Sequence, residues 1–127
     1  MNEQLIQRAK EAMERAYAPY SKFKVGAALL TNNGTIYTGC NIENSSYSLT
    51  CCAERVAIFT AIANNERDFN KLAIIANSEH PVSPCGACRQ VMSEFFTQTM
   101  PIILANTKGD YEETTLEQLL PNSFRLS

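Results

Sequence analysis

The chain has 127 residues, of which 45% are hydrophobic and 19% charged, and its formal net charge at pH 7 is −2. This length predicts a single domain over residues 1–127 with a real hydrophobic core, and the composition excludes disordered, collagen-like and low-complexity chains. Proteins that bind phosphate backbones usually carry a basic excess, so the slightly acidic balance argues against a nucleic-acid partner.

The start of the chain does not resemble a targeting segment, because residues 1–10 are too polar for a secretory signal and contain only one arginine. The longest apolar runs, such as Val25–Leu30 and Ile102–Ala105, are far shorter than the roughly 18 residues that cross a bilayer. We therefore expect a cytoplasmic protein that has no membrane partner.

In chain order, apolar residues recur at helical spacing from Leu5 to Tyr17 and predict an amphipathic helix that ends before Pro19. Two strand-like runs follow, Val25–Thr31 and Thr35–Cys40. The residues between them, Asn32-Asn33-Gly34, are typical of a β-hairpin turn.

The middle of the chain predicts a loop, a helix, a strand and a second loop. Residues 41–50 are polar and rich in Asn and Ser, whereas 52–64 contain enough alanine and large apolar residues for a largely buried helix. A short apolar strand is expected over Leu72–Ala76, and the two prolines within 80–84 predict a loop.

The last third predicts a helix over Cys85–Thr97, a strand over Ile102–Ala105 and a further strand over Tyr111–Thr114. Thr115 is then expected to cap a short helix. The order of elements predicts an α/β fold, a three-layer α-β-α sandwich with a mixed, mostly five-stranded sheet whose antiparallel part is the hairpin.

The sequence contains five cysteines and one histidine: Cys40, Cys51, Cys52, Cys85, Cys88 and His80. An odd number of cysteines in a short chain argues against a secreted disulfide framework. The remaining possibilities for the cysteines are metal ligands, catalytic thiols or small buried side chains.

Two motifs lie at predicted loop-to-helix junctions, Cys52-Ala53-Glu54 and Pro84-Cys85-Gly86-Ala87-Cys88. A Cys-x-x-Cys pair at a helix start can give both sulfurs to one ion, and the helix dipole there favours thiolate. Cys52 would add a third sulfur, and three sulfurs suit zinc. A catalytic zinc has three protein ligands because the fourth position holds water, and Glu54 is close enough in sequence to reach that water.

Three thiolates on Zn²⁺ would leave the site with a net negative charge and make the ion a poorer Lewis acid. The two helix N-termini withdraw part of this charge. Arg55, next to Glu54, is the candidate for the rest, and we predict that it donates a hydrogen bond to a zinc-bound sulfur.

With these motifs, the chain resembles the small, homotetrameric zinc-dependent cytidine deaminases of the cytidine/deoxycytidylate deaminase superfamily, almost from end to end. The resemblance is carried by YAPYSKFKVGAA at 17–28, GCNIENSSY at 39–47, CAER at 52–55 and PCGACRQ at 84–90. The zinc motifs alone would admit the whole superfamily. The segments Asn41-Ile42-Glu43-Asn44 and Tyr20-Ser21-Lys22-Phe23 are particular to its nucleoside enzymes.

The resemblance implies that Cys52, Cys85 and Cys88 bind one Zn²⁺ per subunit. It implies hydrolytic deamination of cytidine and 2′-deoxycytidine to uridine and 2′-deoxyuridine with release of ammonia, a reaction of pyrimidine salvage. In that reaction, zinc hydroxide attacks C4 of the ring while Glu54 shuttles protons.

The resemblance also implies how a free pyrimidine nucleoside is bound. Phe23 is expected to stack near the nucleoside, and Asn41 and Glu43 to hold the ribose hydroxyls. The backbone N–H of Ala53 and the carboxyl of Glu54 are expected to contact the pyrimidine carbonyl and N3.

Members of this family complete each pocket with residues of neighbouring subunits. For this chain that arrangement points to Tyr47 and to Phe124 near the C-terminus, within a homotetramer. A chain this small offers little depth to enclose a nucleoside, which is consistent with shared pockets.

Other interpretations stay open at this point. A non-enzymatic, zinc-stabilised module would need a fourth protein ligand, for which Cys51 and His80 are the spare candidates. A blasticidin-type or other small-molecule aminohydrolase shares the zinc motifs but should lack the pair Asn41 and Glu43. Cys40 and Cys51 are expected to be small buried residues, and His80 a loop residue.

Overall fold

The computed structural model describes residues 2–126, which form a five-stranded mixed sheet with helices on both faces. Its elements are α1 (Asn2–Met13), β1 (Val25–Thr31), β2 (Ile36–Cys40), a 3-10 helix (Tyr47–Leu49), α2 (Ala53–Ala63), β3 (Phe69–Ala76), α3 (Gly86–Phe95), β4 (Pro101–Asn106), β5 (Tyr111–Thr115) and α4 (Leu116–Leu119). The predicted three-layer α-β-α sandwich is confirmed.

The strands lie in the order β2-β1-β3-β4-β5. The pair β3–β4 is parallel and is joined through α3, whereas the other neighbouring pairs are antiparallel. The predicted hairpin joins β1 to β2, and Gly34 has a φ of +91°, a conformation that glycine adopts without a steric penalty.

The core has two layers because successive residues of the central strands point to opposite faces. One face packs against α2, α3 and α4 through Ala27, Leu29, Leu72, Ile74, Ile102 and Leu104. The other face packs against α1 through Ala28, Leu30, Ala73, Ile75, Ile103 and Ala105. Burial on both faces explains why these strands read as continuous apolar runs.

The first helix is shorter than its apolar periodicity predicts, since α1 ends at Met13. Tyr17 instead pairs with the following loop: its N–H donates to the Asn41 carbonyl at 3.0 Å, and it forms a bridge with Ile42. Tertiary hydrogen bonds to a distant segment thus replace the last helical turn, which local periodicity cannot predict.

Smaller differences concern other boundaries. The polar stretch 41–50 contains the 3-10 helix Tyr47–Leu49, and β3 begins at Phe69, earlier than the predicted Leu72. The cap on the last short helix is confirmed, because the Thr115 hydroxyl accepts a hydrogen bond from the Gln118 N–H at 3.3 Å. No helix within residues 2–126 is long and apolar enough to cross a membrane.

Candidate active site

The first motif lies where α2 meets the sheet. Cys52 is the N-cap residue of α2, and Gly39 of β2 faces that end of the helix. A Cβ atom at Gly39 would lie 2.5 Å from both the Ala53 carbonyl oxygen and the Ala57 backbone nitrogen. Only glycine therefore permits this close approach, which holds the start of α2 against β2.

The second motif brings its sulfurs to the same place. Cys85 is the N-cap residue of α3 and Cys88 lies in its first turn. The Sγ atom of Cys85 is 3.8 Å from that of Cys52 and 3.4 Å from that of Cys88. The two helix starts thus meet at one cluster of three sulfurs.

The cluster has the dimensions of a zinc site. Sulfurs bound at ~2.3 Å in tetrahedral geometry lie about 3.8 Å apart, and the three Sγ atoms lie within 4.8 Å of one another. Within residues 2–126, neither Cys51 nor His80 belongs to this group. The cluster therefore offers three protein ligands and an open fourth position, which disfavours a saturated structural site.

Arg55 lies beside the cluster. Its Nη2 atom donates to the Cys52 sulfur and to the Thr50 carbonyl, each at 3.4 Å. Hydrogen bonds from Cys88, Arg55 and Cys85 lower the pKa of the Cys52 thiol to about 5, whereas the pKa of Cys88 is raised, chiefly by its bond to Cys52. A thiolate at Cys52 thus has a nearby cation and two thiol donors.

Glu54 is a buried acid in the first turn of α2, with only 4% of its surface exposed. Burial raises the pKa of its carboxyl, and hydrogen bonds with its own backbone N–H and with Cys88 oppose this only in part. Acids are rarely buried unless paired or functional, so this position is a candidate for proton transfer.

A cleft of about 270 Å³ opens over the cluster. Its walls are formed by Ser21, Phe23, Val25, Asn41, Glu43, Thr50, Cys52, Ala53, Glu54, Ile74, Val82, Ser83 and Cys85. Cys88 is fully buried and is absent from these walls. The cleft therefore joins two sulfurs and a carboxyl at one end to an aromatic ring and polar side chains elsewhere.

Glu43 holds the loop at one wall of the cleft. Its Oε1 atom accepts from the backbone N–H groups of Tyr20 and Ser21 at 3.0 and 3.1 Å, and its Oε2 atom accepts from the Ser21 hydroxyl. The Ser21 hydroxyl bond is the main cause of a lowered Glu43 pKa, with a smaller contribution from Lys22. Glu43 is therefore anionic at neutral pH.

Asn41 braces the neighbouring stretch. It is buried, its Oδ1 atom accepts from the Val25 N–H at 2.9 Å, and its Nδ2 atom donates to the Phe23 carbonyl at 2.8 Å. Phe23 is 39% exposed and lines the cleft. Asn41 thus has a positioning role besides the sugar contact implied by the resemblance.

Tyr47 and Phe124 lie outside this cleft. Tyr47 lines an adjoining cleft of about 300 Å³, which shares Ser21, Glu43 and Thr50 with the first. Phe124 lines neither of these two clefts and is 66% exposed. The Gln90 Nε2 atom donates a hydrogen bond to the Phe124 backbone carbonyl at 3.1 Å.

The structure also places residues that sequence reasoning had not assigned. Ser21 and Thr50 stand between the two clefts, and the resemblance motif around Ser21 was the available signal. Cys40 and Cys51, which were expected to be small buried residues, are only half-buried. The backbone of Cys51 forms an isolated antiparallel β-bridge with that of Ile42. His80 is an exposed loop residue, as predicted.

Three sulfurs at two helix starts, a buried carboxyl beside them and a three-layer sandwich define the zinc-dependent deaminase class. The family model described as the cytidine and deoxycytidylate deaminase zinc-binding region matches residues 1–104. The chain belongs to this family.

Individual relatives agree with this assignment. The cytidine deaminase of Sporosarcina psychrophila is 61% identical over 96% of this chain and 90% of its own length, and that of Halalkalibacterium halodurans is 50% identical over 94% and 91%. A crystal structure of the cytidine deaminase from Burkholderia pseudomallei superimposes with a TM-score of 0.96 at 49% identity, covering 98% of this chain and 99% of that one.

Proposed function

We propose that the protein is a zinc-dependent hydrolase that deaminates cytidine and 2′-deoxycytidine to uridine and 2′-deoxyuridine with release of ammonia. The observation that carries this proposal is one small cleft shared by the Cys52 and Cys85 sulfurs, the buried Glu54 and the polar pair Asn41 and Glu43. Family membership and the names of the close relatives support it. The reaction would serve pyrimidine salvage.

The sulfurs of Cys52, Cys85 and Cys88 would hold the ion. When bound, zinc supplies an activated water for attack on C4 of the pyrimidine. Arg55 donates to the Cys52 sulfur and offsets the negative charge of three thiolates. Its loss in Arg55→Gln should reduce zinc content or turnover.

Glu54 would move the protons. It is buried at the cluster end of the cleft, where one carboxylate oxygen could take a proton from the attacking water and deliver it to ring N3, and then carry the proton of the new C4 hydroxyl to the departing amine. The Ala53 N–H lies at the start of α2, where the first amide groups have no partner within the helix. It is available to the pyrimidine carbonyl.

The opposite part of the cleft would bind the sugar. A carboxylate has about four acceptor positions. Glu43 uses two on Oε1 and one on Oε2, which leaves one on Oε2 for a ribose hydroxyl. Asn41 likewise keeps one N–H free while it braces Phe23, whose ring can stack near the nucleoside.

The test is ammonia release by the purified, zinc-loaded protein from separate samples of cytidine, 2′-deoxycytidine, adenosine, blasticidin S and a short single-stranded DNA. We expect turnover of the first two alone. If the protein deaminates blasticidin S but not cytidine, it is the alternative aminohydrolase. The absence of turnover on every substrate, with zinc bound, would instead support a zinc-stabilised module.

We further propose a homotetramer whose pockets are shared between subunits. Large apolar side chains are exposed around the clefts, including Tyr20, Tyr47 and Leu49, and Phe59 is exposed on the outer side of α2. Several large apolar side chains left exposed in one protein are a feature of protein interfaces. Phe124, which lines neither of the two clefts described above, would reach a neighbour's pocket. Sedimentation velocity should give the mass of four chains.

We propose a cytoplasmic location for the enzyme. The five cysteines are all free, and three of their sulfurs lie close enough to oxidise if they were left unbound. A reducing compartment keeps such thiols available to zinc.

A further inference from the structure

One arginine connects the metal cluster to the far end of the chain. Arg89 follows Cys88 directly in α3 and is half-buried. Its Nε atom donates to the Pro84 carbonyl at 2.8 Å, and its Nη1 atom donates to the Leu119 carbonyl at 2.6 Å. A single guanidinium group therefore joins the residue before Cys85 to the last residue of α4.

Of the three sulfur ligands, Cys85 has the least packing of its own. Cys88 is fully buried in the core, and Cys52 caps a helix held against the sheet at Gly39. Cys85, in contrast, is exposed and ends a long loop that starts after Ala76. Its position depends on how the end of this loop is held.

Arg89 is the residue that holds it. Among residues 2–126, the bond from Arg89 is the one side-chain hydrogen bond made to the backbone of 81–84. Pro84 is buried between the exposed Ser83 and Cys85. A fixed Pro84 carbonyl fixes the plane of the Pro84–Cys85 peptide, because that bond is rigid.

The other end of the connection is firmly anchored. α4 is capped by Thr115, and its residues Leu116 and Leu119 are buried in the main core cluster. The carbonyls of the last helical turn have no partner within a helix, so the Leu119 oxygen is free to accept from Arg89.

We propose that Arg89 is a positioning residue for the metal site, which sets the Cys85 sulfur against those of Cys52 and Cys88 by tying the Pro84 carbonyl to α4. This inference rests on the proposed zinc site. It concerns ion affinity and ligand geometry, so it can fail while the proposed deamination holds.

The experiment measures the zinc dissociation constant by competition with a chromogenic chelator, together with the visible spectrum of the cobalt(II)-substituted protein. Arg89→Gln is compared with the parent and with Arg67→Gln. Arg67 is a matched control, because its Nη1 atom also donates to two carbonyls, Ile62 and Glu66, away from the cluster. Arg89→Lys keeps the charge but can reach only one carbonyl well.

We expect Arg89→Gln to weaken zinc binding about 10- to 100-fold, the usual effect of removing a partner that orients a ligand, and to alter the cobalt(II) bands. Arg89→Lys should give a smaller loss, and Arg67→Gln none. Zinc binding of Arg89→Gln within twofold of the parent would overturn the proposal, as would an equal loss in Arg67→Gln. If Arg89→Gln does not fold, Arg89→Lys decides, and unchanged affinity in that variant overturns it.

Discussion

At the scale of single residues, the site combines side chains of two kinds. Glu54, Cys52 and Cys85 line the reacting end of the cleft and Cys88 is buried beside them, whereas Ser21 and Arg55 act through Glu43 and Cys52, to which they donate hydrogen bonds. The difference matters for mutation. Loss of the first kind should remove chemistry or metal, and loss of the second should change affinity, pH dependence or stability.

Replacement of Glu54 by Ala should separate chemistry from metal binding. The carboxyl is not one of the three sulfur ligands, so zinc content should stay near one ion per chain. Turnover of cytidine should fall at least about 100-fold, since a general acid–base group contributes that much or more. Glu54→Gln is the control for shape, because it keeps the side-chain size. Substantial activity in both variants would show that another group moves the proton.

Replacement of Ser21 by Ala should shift the pH dependence of substrate binding. The Ser21 hydroxyl is the main reason that the Glu43 pKa lies below its ordinary value of 4.5. Because the depressed pKa keeps the carboxylate ionised, its contribution to binding is present at neutral pH and is lost as pH falls through the folded pKa. Without the hydroxyl, the Glu43 pKa should rise and the loss should begin at higher pH.

The measurement for Ser21→Ala is KM for cytidine from roughly pH 4 to 7, the range that spans the titration of a glutamate. Lys22, which also lowers the Glu43 pKa, provides a comparison through Lys22→Gln, for which a smaller shift is expected. Superimposable KM profiles of Ser21→Ala and the parent would contradict the role given to this hydroxyl.

At the scale of elements, the site depends on two helix starts, those of α2 and α3, whose sulfurs meet. The N-cap positions of α2 and α3 each hold a cysteine. Small residues set how closely α2 approaches the sheet: Gly39 of β2 lies against the backbone of Ala53 and Ala57 in α2. Helix placement and metal geometry are therefore coupled.

Replacement of Gly39 by Ala should displace the start of α2. The added Cβ would lie 2.5 Å from two backbone atoms, which cannot swing aside as a flexible side chain can. We expect a loss of about 1–3 kcal/mol in the free energy of unfolding, the usual cost of overpacking. Chemical denaturation measures it. Gly86→Ala is the control, because nothing lies within 4 Å of its Cβ position, and equal losses in both would contradict this account.

At the scale of the whole molecule, the chain leaves much apolar surface uncovered. α2 lies in an outer layer, yet its sequence AERVAIFTAIA is apolar on most sides. A helix that is hydrophobic all round is normally buried. In the proposed homotetramer, the exposed side of α2 would pack against another subunit.

Phe59→Asp should therefore reduce the tetramer to smaller species in sedimentation velocity, because it places a charge on the exposed apolar side of α2. Turnover should fall with the loss of tetramer if neighbouring subunits complete the pockets. Gln4→Asp, at an exposed position of α1 on the opposite layer, should leave the mass unchanged. A tetramer that survives Phe59→Asp would place the interface elsewhere.

The sequence by itself determined the order of elements, the hairpin, the three-layer class and the three sulfurs that form one cluster, those of Cys52, Cys85 and Cys88. These features are local: alternation, helical spacing, a turn tripeptide and two short motifs each depend on a few neighbouring residues. Family resemblance added the candidate sugar-binding residues, because its motifs extend over most of the chain.

Only the tertiary structure decided where α1 ends and which groups form hydrogen bonds with Asn41 and Glu43. It also showed that Arg89 donates to both the Pro84 and the Leu119 carbonyls. Each of these depends on hydrogen bonds between residues far apart in sequence. Partners of that kind are chosen by the packing of the whole sheet and its helices, and no periodicity along the chain encodes them.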